Sequence, residues 1–240
     1  MRISLASAVG LAAVLGVAAS LAVAPDVRAG GTVAGSPSLF ACYSAQFTAF
    51  RPQTRTIEDA WSGVASLSVY APAAICVPAP GASTSYLTCF RVKVRTSQLA
   101  ARAVSVVDAF SRISQRLRVY RLETVCVPSS RVDIGGSRLP VGGLDRFACY
   151  TAKNSRPATY SNVMVADDFG QSEDSIAGPL RACAPAAFGA SHVSNRTGFL
   201  TCYSDKSETK GTSVVVRNEL GFFKAALGPR EAVCTTATAR

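Results

Sequence analysis

Residues 147–153 read FACYTAK, and similar phrases occur at 39–46 (LFACYSAQ), 86–93 (YLTCFRVK) and 199–206 (FLTCYSDK). In each phrase a large apolar residue lies two positions before the cysteine, so both face the same side of a strand. The aromatic residue after the cysteine faces the other side. Both faces are therefore partly apolar, which is typical of a strand covered on both sides. A phrase repeated in this way predicts four related units.

Each unit continues with a β-branched run that ends in Asp or Asn, one further residue and a large apolar residue. The runs are VSVVDAFS at 104–111, VMVADDFG at 163–170, VVVRNELG at 214–221 and, in weaker form, TIEDAWS at 56–62. Valine-rich runs fit a half-buried pleated surface. Asp or Asn close to Gly or Ser favours a turn, because the short polar side chain bonds nearby backbone groups. A strand followed by a turn is the prediction for each unit.

A second cysteine ends each unit, in AAICVPA (73–79), ETVCVPS (123–129), RACAPAA (181–187) and EAVCTTA (231–237). Three of these segments carry proline two places after the cysteine. Proline ends a strand because it cannot donate to the sheet ladder. The fourth segment lacks the proline and lies at the end of the chain.

These patterns predict an all-β protein of four homologous, disulfide-stapled antiparallel β units. One arrangement pairs units 1 and 2, and units 3 and 4, into two sandwich- or barrel-like domains, because a glycine-rich stretch separates the halves. Thr96–Val127 has helical spacing when read alone; the repeat favours strands there, and a helix stays the alternative. The predicted segments are a signal peptide at 1–29, a flexible N-terminus at 30–37, repeat 1 at 38–84, repeat 2 at 85–131, a linker at 132–144, repeat 3 at 145–190 and repeat 4 at 191–240.

The N-terminal residues have the features of a secretory signal peptide. Arg2 precedes an uncharged apolar run, Leu5–Ala24, and Val27-Arg28-Ala29 gives a small-x-small site, so cleavage is expected after Ala29. An uncleaved anchor is the alternative, since the run is long enough to cross a bilayer. No later stretch approaches 18 consecutive apolar residues, so the mature chain is expected to have no transmembrane domain. The predicted location is secreted or cell-envelope, extracellular or periplasmic.

The eight cysteines are expected to pair as disulfides, because exported chains meet oxidising conditions. No CxxC or CxxH pair is present, so neither a metal site nor a cofactor is predicted. Repeat symmetry leaves two pairing schemes. One joins each second cysteine to the first of the next unit, closed by Cys42 with Cys234. The favoured scheme, which needs no end-to-end closure, pairs Cys42 with Cys76, Cys89 with Cys126, Cys149 with Cys183 and Cys202 with Cys234.

Positive charge is concentrated in the second unit. The chain has a formal net charge of +10, and Ser85–Arg131 holds nine basic residues against Asp108 and Glu123, or +7. Basic residues displayed on a strand can bind polyanions by releasing counterions. A polyanionic component of the cell envelope is therefore a candidate partner, and nothing points to intracellular nucleic-acid binding. The candidate contact residues are Arg112, Arg116, Arg118 and Arg121.

No catalytic motif is found. Asp168-Phe169-Gly170 spells the kinase metal-binding tripeptide, but the chain has neither the kinase glycine-rich loop nor its catalytic loop. His192 is the single histidine, and a hydrolase that uses it is the weakest of three hypotheses. The acidic residues of 167–174 lack the spacing of a calcium loop and are interpreted as a solvated turn. The favoured function is a non-enzymatic structural, surface or binding role, ahead of polyanion binding.

The combination of Cys-Tyr-x-x-Lys, Asp-x-Phe-Gly and Cys-Val-Pro resembles an uncharacterised family of exported bacterial repeat domains, a domain of unknown function. The resemblance covers about 38–236 and is weakest in unit one, where Gln46 replaces lysine and Trp61 replaces phenylalanine. It implies export and an all-β repeat, and it carries no catalytic residue over. It is clearest in unit three, at Cys149, Tyr150, Lys153, Asp168, Phe169, Gly170, Cys183 and Pro185.

Overall fold

A computed structural model of the protein describes residues 39–80, 85–95, 101–111, 113–132, 143–207 and 211–239. Within these ranges every regular element is a β-strand, which confirms the all-β prediction. The strands are β1 (Leu39–Phe47), β2 (Gln53–Asp59), β3 (Gly63–Pro78), β4 (Ser85–Val94), β5 (Arg102–Asp108), β6 (Gln115–Arg131), β7 (Arg146–Asn154), β8 (Ala158–Asp167), β9 (Gly170–Phe188), β10 (Phe199–Ser204), β11 (Thr212–Asn218) and β12 (Gly221–Ala239).

Each unit has the same order of three strands. In unit 1, β2 forms a hairpin with the start of β3, and β1 pairs with the end of β3. The other units repeat this arrangement as β4 to β6, β7 to β9 and β10 to β12. The third strands are long, 16 to 19 residues, because each carries the hairpin partner on its first half and the cysteine strand on its second.

The sheet closes on itself. The first strand of each unit also pairs with the third strand of the preceding unit: β4 with β3, β7 with β6 and β10 with β9. β1 pairs with β12 in the same way and joins the two ends of the chain. Eight strands therefore form a closed antiparallel ring: β1, β3, β4, β6, β7, β9, β10 and β12.

This closure corrects the expected pairing of units into two sandwich- or barrel-like domains. β6 pairs with β7 from Leu117 opposite Asn154 to Cys126 opposite Phe147, so the second and third units share a ladder across the expected boundary. Most of the predicted linker, residues 133–142, lies outside the described residues. The strands β5 and β6 also confirm the strand prediction within Thr96–Val127 over the described part of that segment.

Alternating side chains give the ring two apolar cores. All eight cysteines form one cluster together with Phe40, Leu87, Phe147 and Leu200. Since this cluster draws residues from all eight strands of the ring, it lies on the inner face. The aromatic residues that follow the first cysteines belong to the second, larger cluster on the outer face. The outer face is covered by the four hairpins, which we call the arms, each formed by the second strand and the start of the third.

The tip of each arm reaches the unit two places further along the chain. Tyr150 donates its hydroxyl hydrogen to Asp59 at 2.7 Å, and Tyr203 donates to Asp108 at 2.7 Å. Tyr43 donates to Asp167 in the same way, which brings the third unit back to the first. Burial, followed by the negative charge of Asp59, raises the pKa of Tyr150, so its hydroxyl keeps the proton that it donates. We call these contacts the clasps.

The recurring Asp-x-apolar motif explains how a tip is built. The Oδ1 atom of Asp59 accepts hydrogen bonds from the backbone N–H of Trp61 at 2.7 Å and of Ser62 at 3.0 Å, which confirms the predicted turn. The Oδ2 atom accepts from the Tyr150 hydroxyl and from the Ser62 hydroxyl. The Trp61 ring packs on Tyr150 with centroids 5.4 Å apart. One carboxylate thus shapes the turn and joins two units.

The fourth clasp differs from the other three. Asn218 stands where the other arms have aspartate, and Phe90 stands where the other units have tyrosine. Asn218 still accepts a hydrogen bond from the backbone N–H of Leu220, at 2.9 Å, while its amide donates to Ser129 at 3.0 Å. Phe90 packs among aromatic rings, with Phe50 at 5.2 Å and Phe223 at 5.8 Å between centroids.

Candidate functional site

The inside of the ring contains a cavity of about 440 Å³. All eight cysteines line it, so the four disulfides form a band around its wall. The bonded pairs are Cys42–Cys76, Cys89–Cys126, Cys149–Cys183 and Cys202–Cys234, which confirms the within-unit scheme. Each pair joins residues that lie directly opposite each other on neighbouring strands. Four disulfides indicate an oxidising compartment.

The period of two along a strand sorts the inner residues into layers. The residues two positions before the first cysteines, Phe40, Leu87, Phe147 and Leu200, are all buried and close one end of the ring. On the other side of the disulfide band lie Ser44 and Arg91, two positions after their cysteines. Arg91 is exposed, so this side is the mouth of the cavity.

The mouth is polar and carries charge of both signs. Arg181 donates from Nε to Glu123 at 2.8 Å. The side chain of Arg181 is 25% exposed and that of Glu123 is 31% exposed. Thr124 lies opposite Arg91 in the sheet register and also lines the cavity. Glu231 is exposed on β12, three strands around the ring from the strand that carries Arg91.

Arg91 is the cation at the mouth that is available to a ligand. Among the described residues no carboxylate lies within salt-bridge distance of it, whereas Arg181 is already paired. A guanidinium offers five N–H donors in a planar fork that matches a carboxylate or similar anion. The arrangement can therefore hold a molecule that places an apolar body against the disulfide band and an anionic group at the mouth.

The predicted polyanion-binding residues do not line this cavity. Arg116, Arg118 and Arg121 are exposed on β6, and Arg118 lies over the ring of Tyr120, 5.7 Å from its centroid. In the register of β6 with β7, Arg118 faces Lys153, which is also exposed. Arg112 lies outside the described residues. The structure thus places three of the four arginines on one strand, with their side chains exposed.

His192 lies in an exposed position in the connection between β9 and β10. The neighbouring Ser191 accepts a hydrogen bond from the backbone N–H of Phe188 at 2.7 Å. In the described part of the chain no carboxylate orients the imidazole ring. A hydrolase of this type needs a nucleophile, a histidine base and an orienting group within hydrogen-bond reach of one another. The described residues around His192 do not form this arrangement.

The interpretation of the acidic residues of 167–174 as a solvated turn holds for only part of the segment: Asp168 lies in an exposed turn and Glu173 is exposed, but it was wrong for Asp167 and Asp174. Asp167 is buried and forms a clasp with Tyr43, and Asp174 forms an ion pair with Arg230. Asp205 is the second partner of Arg230. Burial acts to lower the pKa of Arg230, but the hydrogen bond and charge of Asp205 outweigh it and raise that pKa. Asp167 and Asp174 thus connect the third unit to the first and fourth units.

Sequence reasoning missed both the cavity and the role of Arg91. The signal was present: Arg91 lies two positions after Cys89, so it must face the same side as that cysteine. What could not be seen was that this side is the inside of a ring. The ring also brings the second-strand aspartates to tyrosines that are 91 to 124 residues away in sequence.

No group of three or more His, Cys, Asp or Glu side chains suited to a metal ion occurs among the residues that the structure describes. No helix in that part of the chain is long and apolar enough to cross a membrane. No family model, curated protein or solved structure matches this chain. The resemblance to exported bacterial repeat domains stays a prediction, and the geometry alone carries the functional argument.

Proposed function

We propose that the protein is an exported, non-enzymatic binding protein that holds a small amphipathic anion in the cavity of its strand ring. The cavity carries the proposal. Its volume of about 440 Å³ falls within the roughly 300 to 1,000 Å³ typical of small-molecule sites. Its wall is apolar sulfur and carbon, and its polar groups lie at one end.

The chemistry of the mouth selects the ligand class. The apolar part of the ligand would contact the disulfides, Phe40, Leu87 and Leu200. Its removal from water is favourable by about 25 cal/mol per Å² of apolar surface. The anionic group then lies at Arg91, where the solvent is close and the desolvation of the charge is small. Medium-chain carboxylates have this shape and charge.

The export that this proposal assumes rests on the signal-peptide pattern at 1–29 and on the four disulfides. Disulfides persist in extracellular and periplasmic compartments. A binding protein there meets free amphipathic acids before they reach the membrane. The prediction that the signal peptide is removed belongs to the same proposal and is tested by N-terminal sequencing of the secreted protein.

Calorimetric titration with octanoate and with octylamine tests the ligand class. We expect octanoate to bind and octylamine to bind more weakly. Arg91→Gln should weaken octanoate by about fivefold, which corresponds to about 1 kcal/mol for a partly exposed ion pair. Arg116→Gln is the matched control, because it removes the same charge from an exposed position away from the cavity. Tighter binding of octylamine, or equal effects of the two variants, would contradict the proposal.

A second titration tests the location of the ligand. Ala74 lines the cavity and is only partly buried. Ala74→Leu should fill part of the cavity and abolish octanoate binding while leaving the thermal unfolding temperature close to that of the wild type. Unchanged binding in a folded Ala74→Leu protein would place the ligand elsewhere.

Polyanion binding is a second candidate, favoured by the exposed arginines of β6 and by Lys153 beside them. Within the described ranges these side chains have no carboxylate at salt-bridge distance, and like charges held together in this way attract polyanions by counterion release. Retention on heparin should fall steeply with salt and should drop in an Arg116→Gln, Arg118→Gln, Arg121→Gln triple variant. The control is Arg91→Gln, which should keep most of its retention.

A further inference from the structure

The four disulfides lie side by side around the inside of the strand ring, and at three of the four junctions between units their sulfur atoms are in contact. We call these eight sulfur atoms the sulfur ring. Between neighbouring units, Sγ of Cys42 lies 3.5 Å from Sγ of Cys234, Sγ of Cys126 lies 3.7 Å from Sγ of Cys149, and Sγ of Cys76 lies 3.9 Å from Sγ of Cys89. Bonded sulfurs carry no hydrogen, so these are van der Waals contacts.

The remaining junction, between Cys183 and Cys202, has the same strand register as the other three. Cys183 lies opposite Leu200, just as Cys76 lies opposite Leu87 and Cys126 lies opposite Phe147. Each cysteine except Cys183 and Cys202 therefore has a bonded neighbour in its own unit and a sulfur contact in an adjoining unit. The within-unit pairing scheme is present as bonds, and three of the four pairs of the other scheme are present as contacts.

Thiol–disulfide exchange needs a thiolate beside a disulfide sulfur. The gap to close is small, since a contact of 3.9 Å must shorten to an S–S bond of about 2.05 Å. A thiolate formed at any of the six cysteines with such a contact is therefore next to a disulfide that it can attack.

A reagent can reach the ring through the mouth. All eight cysteines line the same cavity, and Arg91 at the mouth attracts anions such as thiolates. We propose that the sulfur ring is a thiol-exchange site for small-molecule thiols, in which one opened disulfide passes from unit to unit across the three contacts. This proposal does not depend on the binding of an amphipathic anion.

The steps conserve atoms and electrons. The thiolate of a small thiol attacks one sulfur of a disulfide, forms a mixed disulfide and releases the partner cysteine as a thiolate. That thiolate attacks the sulfur that it contacts in the next unit, a between-unit bond forms, and the within-unit bond breaks. The electron pair leaves on the far cysteine, which attacks in turn. Each later step exchanges one disulfide for another and needs no oxidant.

Cys202→Ser tests the exchange, because it leaves Cys234 as a free thiol at one end of a run of contacts. Attack on Cys42 frees Cys76, attack on Cys89 then frees Cys126, and attack on Cys149 frees Cys183. The folded variant is held at mildly alkaline pH, alkylated with iodoacetamide and mapped by mass spectrometry. We expect label on Cys234, Cys76, Cys126 and Cys183, roughly a quarter each if the pairings are equal in free energy.

The pattern of labelling decides the result. Label on Cys234 alone, or label spread onto Cys42, Cys89 and Cys149 as well, would overturn the proposal, because exchange along the ring frees only third-strand cysteines. The double variant Cys202→Ser, Cys234→Ser has no free thiol and should take no label.

The wild-type protein gives an independent test should the variant fail to fold. It is incubated with 2-mercaptoethanesulfonate, alkylated and mapped without reduction. Exchange predicts the between-unit pairs Cys42–Cys234, Cys76–Cys89 and Cys126–Cys149 beside the within-unit pairs. Recovery of within-unit pairs only, in protein that the thiol has opened, would refute exchange between units. No reaction while the protein stays folded would refute the access of thiols to the ring.

Discussion

Three of the clasps join an arm to the ring by a tyrosine and an aspartate, whereas in the fourth Asn218 bonds to Ser129 and Phe90 stands in place of the tyrosine. In both kinds the polar side chain at the tip accepts a backbone hydrogen bond two residues on, at 2.7 Å in Asp59 and 2.9 Å in Asn218. The turn is therefore the same. The partner differs: Tyr150 completes the carboxylate, whereas Phe90 packs among other rings.

The comparison shows that the two changes belong together. A phenylalanine opposite an aspartate would leave a buried carboxylate oxygen short of a donor, and a tyrosine opposite an apolar cluster would bury an unpaired hydroxyl. Either mismatch costs about 1 to 3 kcal/mol. The fourth clasp avoids both because each side of the pair has changed. The following predictions test this interpretation, from the largest expected effect to the smallest.

Asp59→Ala should be the most damaging change. It leaves four buried or half-buried donors without their acceptor: the hydroxyls of Tyr150 and Ser62 and the N–H groups of Trp61 and Ser62. We expect the free energy of unfolding to fall by about 4 kcal/mol in urea denaturation. Glu58→Ala, at the exposed neighbouring position, is the control and should change it by less than about 0.5 kcal/mol. Equal losses of free energy of unfolding in the two variants would show that the Asp59 clasp does not stabilise the protein.

Phe90→Tyr should destabilise the protein by about 2 kcal/mol, because it places a hydroxyl among the rings of Phe47, Phe50 and Phe223. Adding Asn218→Asp supplies the acceptor that the other clasps have. The double variant should therefore be more stable than Phe90→Tyr alone. A double variant less stable than the single one would show that the fourth clasp is not equivalent to the rest.

Tyr150→Phe should cost about 1.5 kcal/mol, less than Asp59→Ala, because the turn at the arm tip stays intact. Combining it with Asp59→Asn converts this clasp to the composition of the fourth. The losses of the two single variants should exceed the loss of the double variant by about 1 kcal/mol. Strict additivity in this double-mutant cycle would mean that the two residues do not act as a pair.

The smallest effect concerns pH. Burial raises the pKa of Asp108, and the hydrogen bonds from Tyr203 and from the backbone of Ser111 and Phe110 only partly oppose this. The folded protein then binds this proton more tightly than the unfolded chain does. Proton binding at Asp108 therefore favours the folded state. Its contribution to the free energy of unfolding is fully present below the unfolded pKa of Asp and is lost as pH rises through the folded pKa of Asp108.

Urea denaturation of the wild type and of Asp108→Asn, from about pH 4 to pH 7, measures this contribution. The stability of the wild type relative to the variant should decrease as pH rises. An increase over the same range would show that the carboxylate is stabilised, rather than destabilised, by its surroundings.

The parts of the fold that could be predicted are those coded within one unit. Cys42 and Cys76 recur with their counterparts at near-constant spacing, which limits the disulfides to two schemes, and Asp59 lies where turn chemistry requires it, so a strand followed by a turn is predicted in each unit. The assembly of the units could not be predicted in the same way. The within-unit scheme was favoured because it avoids joining the chain ends, yet β1 and β12 join them through backbone hydrogen bonds.

The cavity was hidden for a related reason. Arg91 reads as one basic residue among nine in the second unit until the ring shows that its face is the inner one. The departures at Phe90 and Asn218 were the available long-range signal. They are the two positions where both halves of a clasp change, and together they indicate that the fourth arm meets the second unit.

The account depends on the closed ring, and the ladder between β1 and β12 tests it most directly. Nuclear Overhauser effects between these strands would be measured in the folded, oxidised protein. We predict cross-strand contacts in the register Phe40 opposite Cys234 and Ala41 opposite Val233, with amide hydrogens in this segment protected from exchange. Rapidly exchanging amides in Leu39–Cys42, with no contacts to β12, would contradict the ring and with it the cavity.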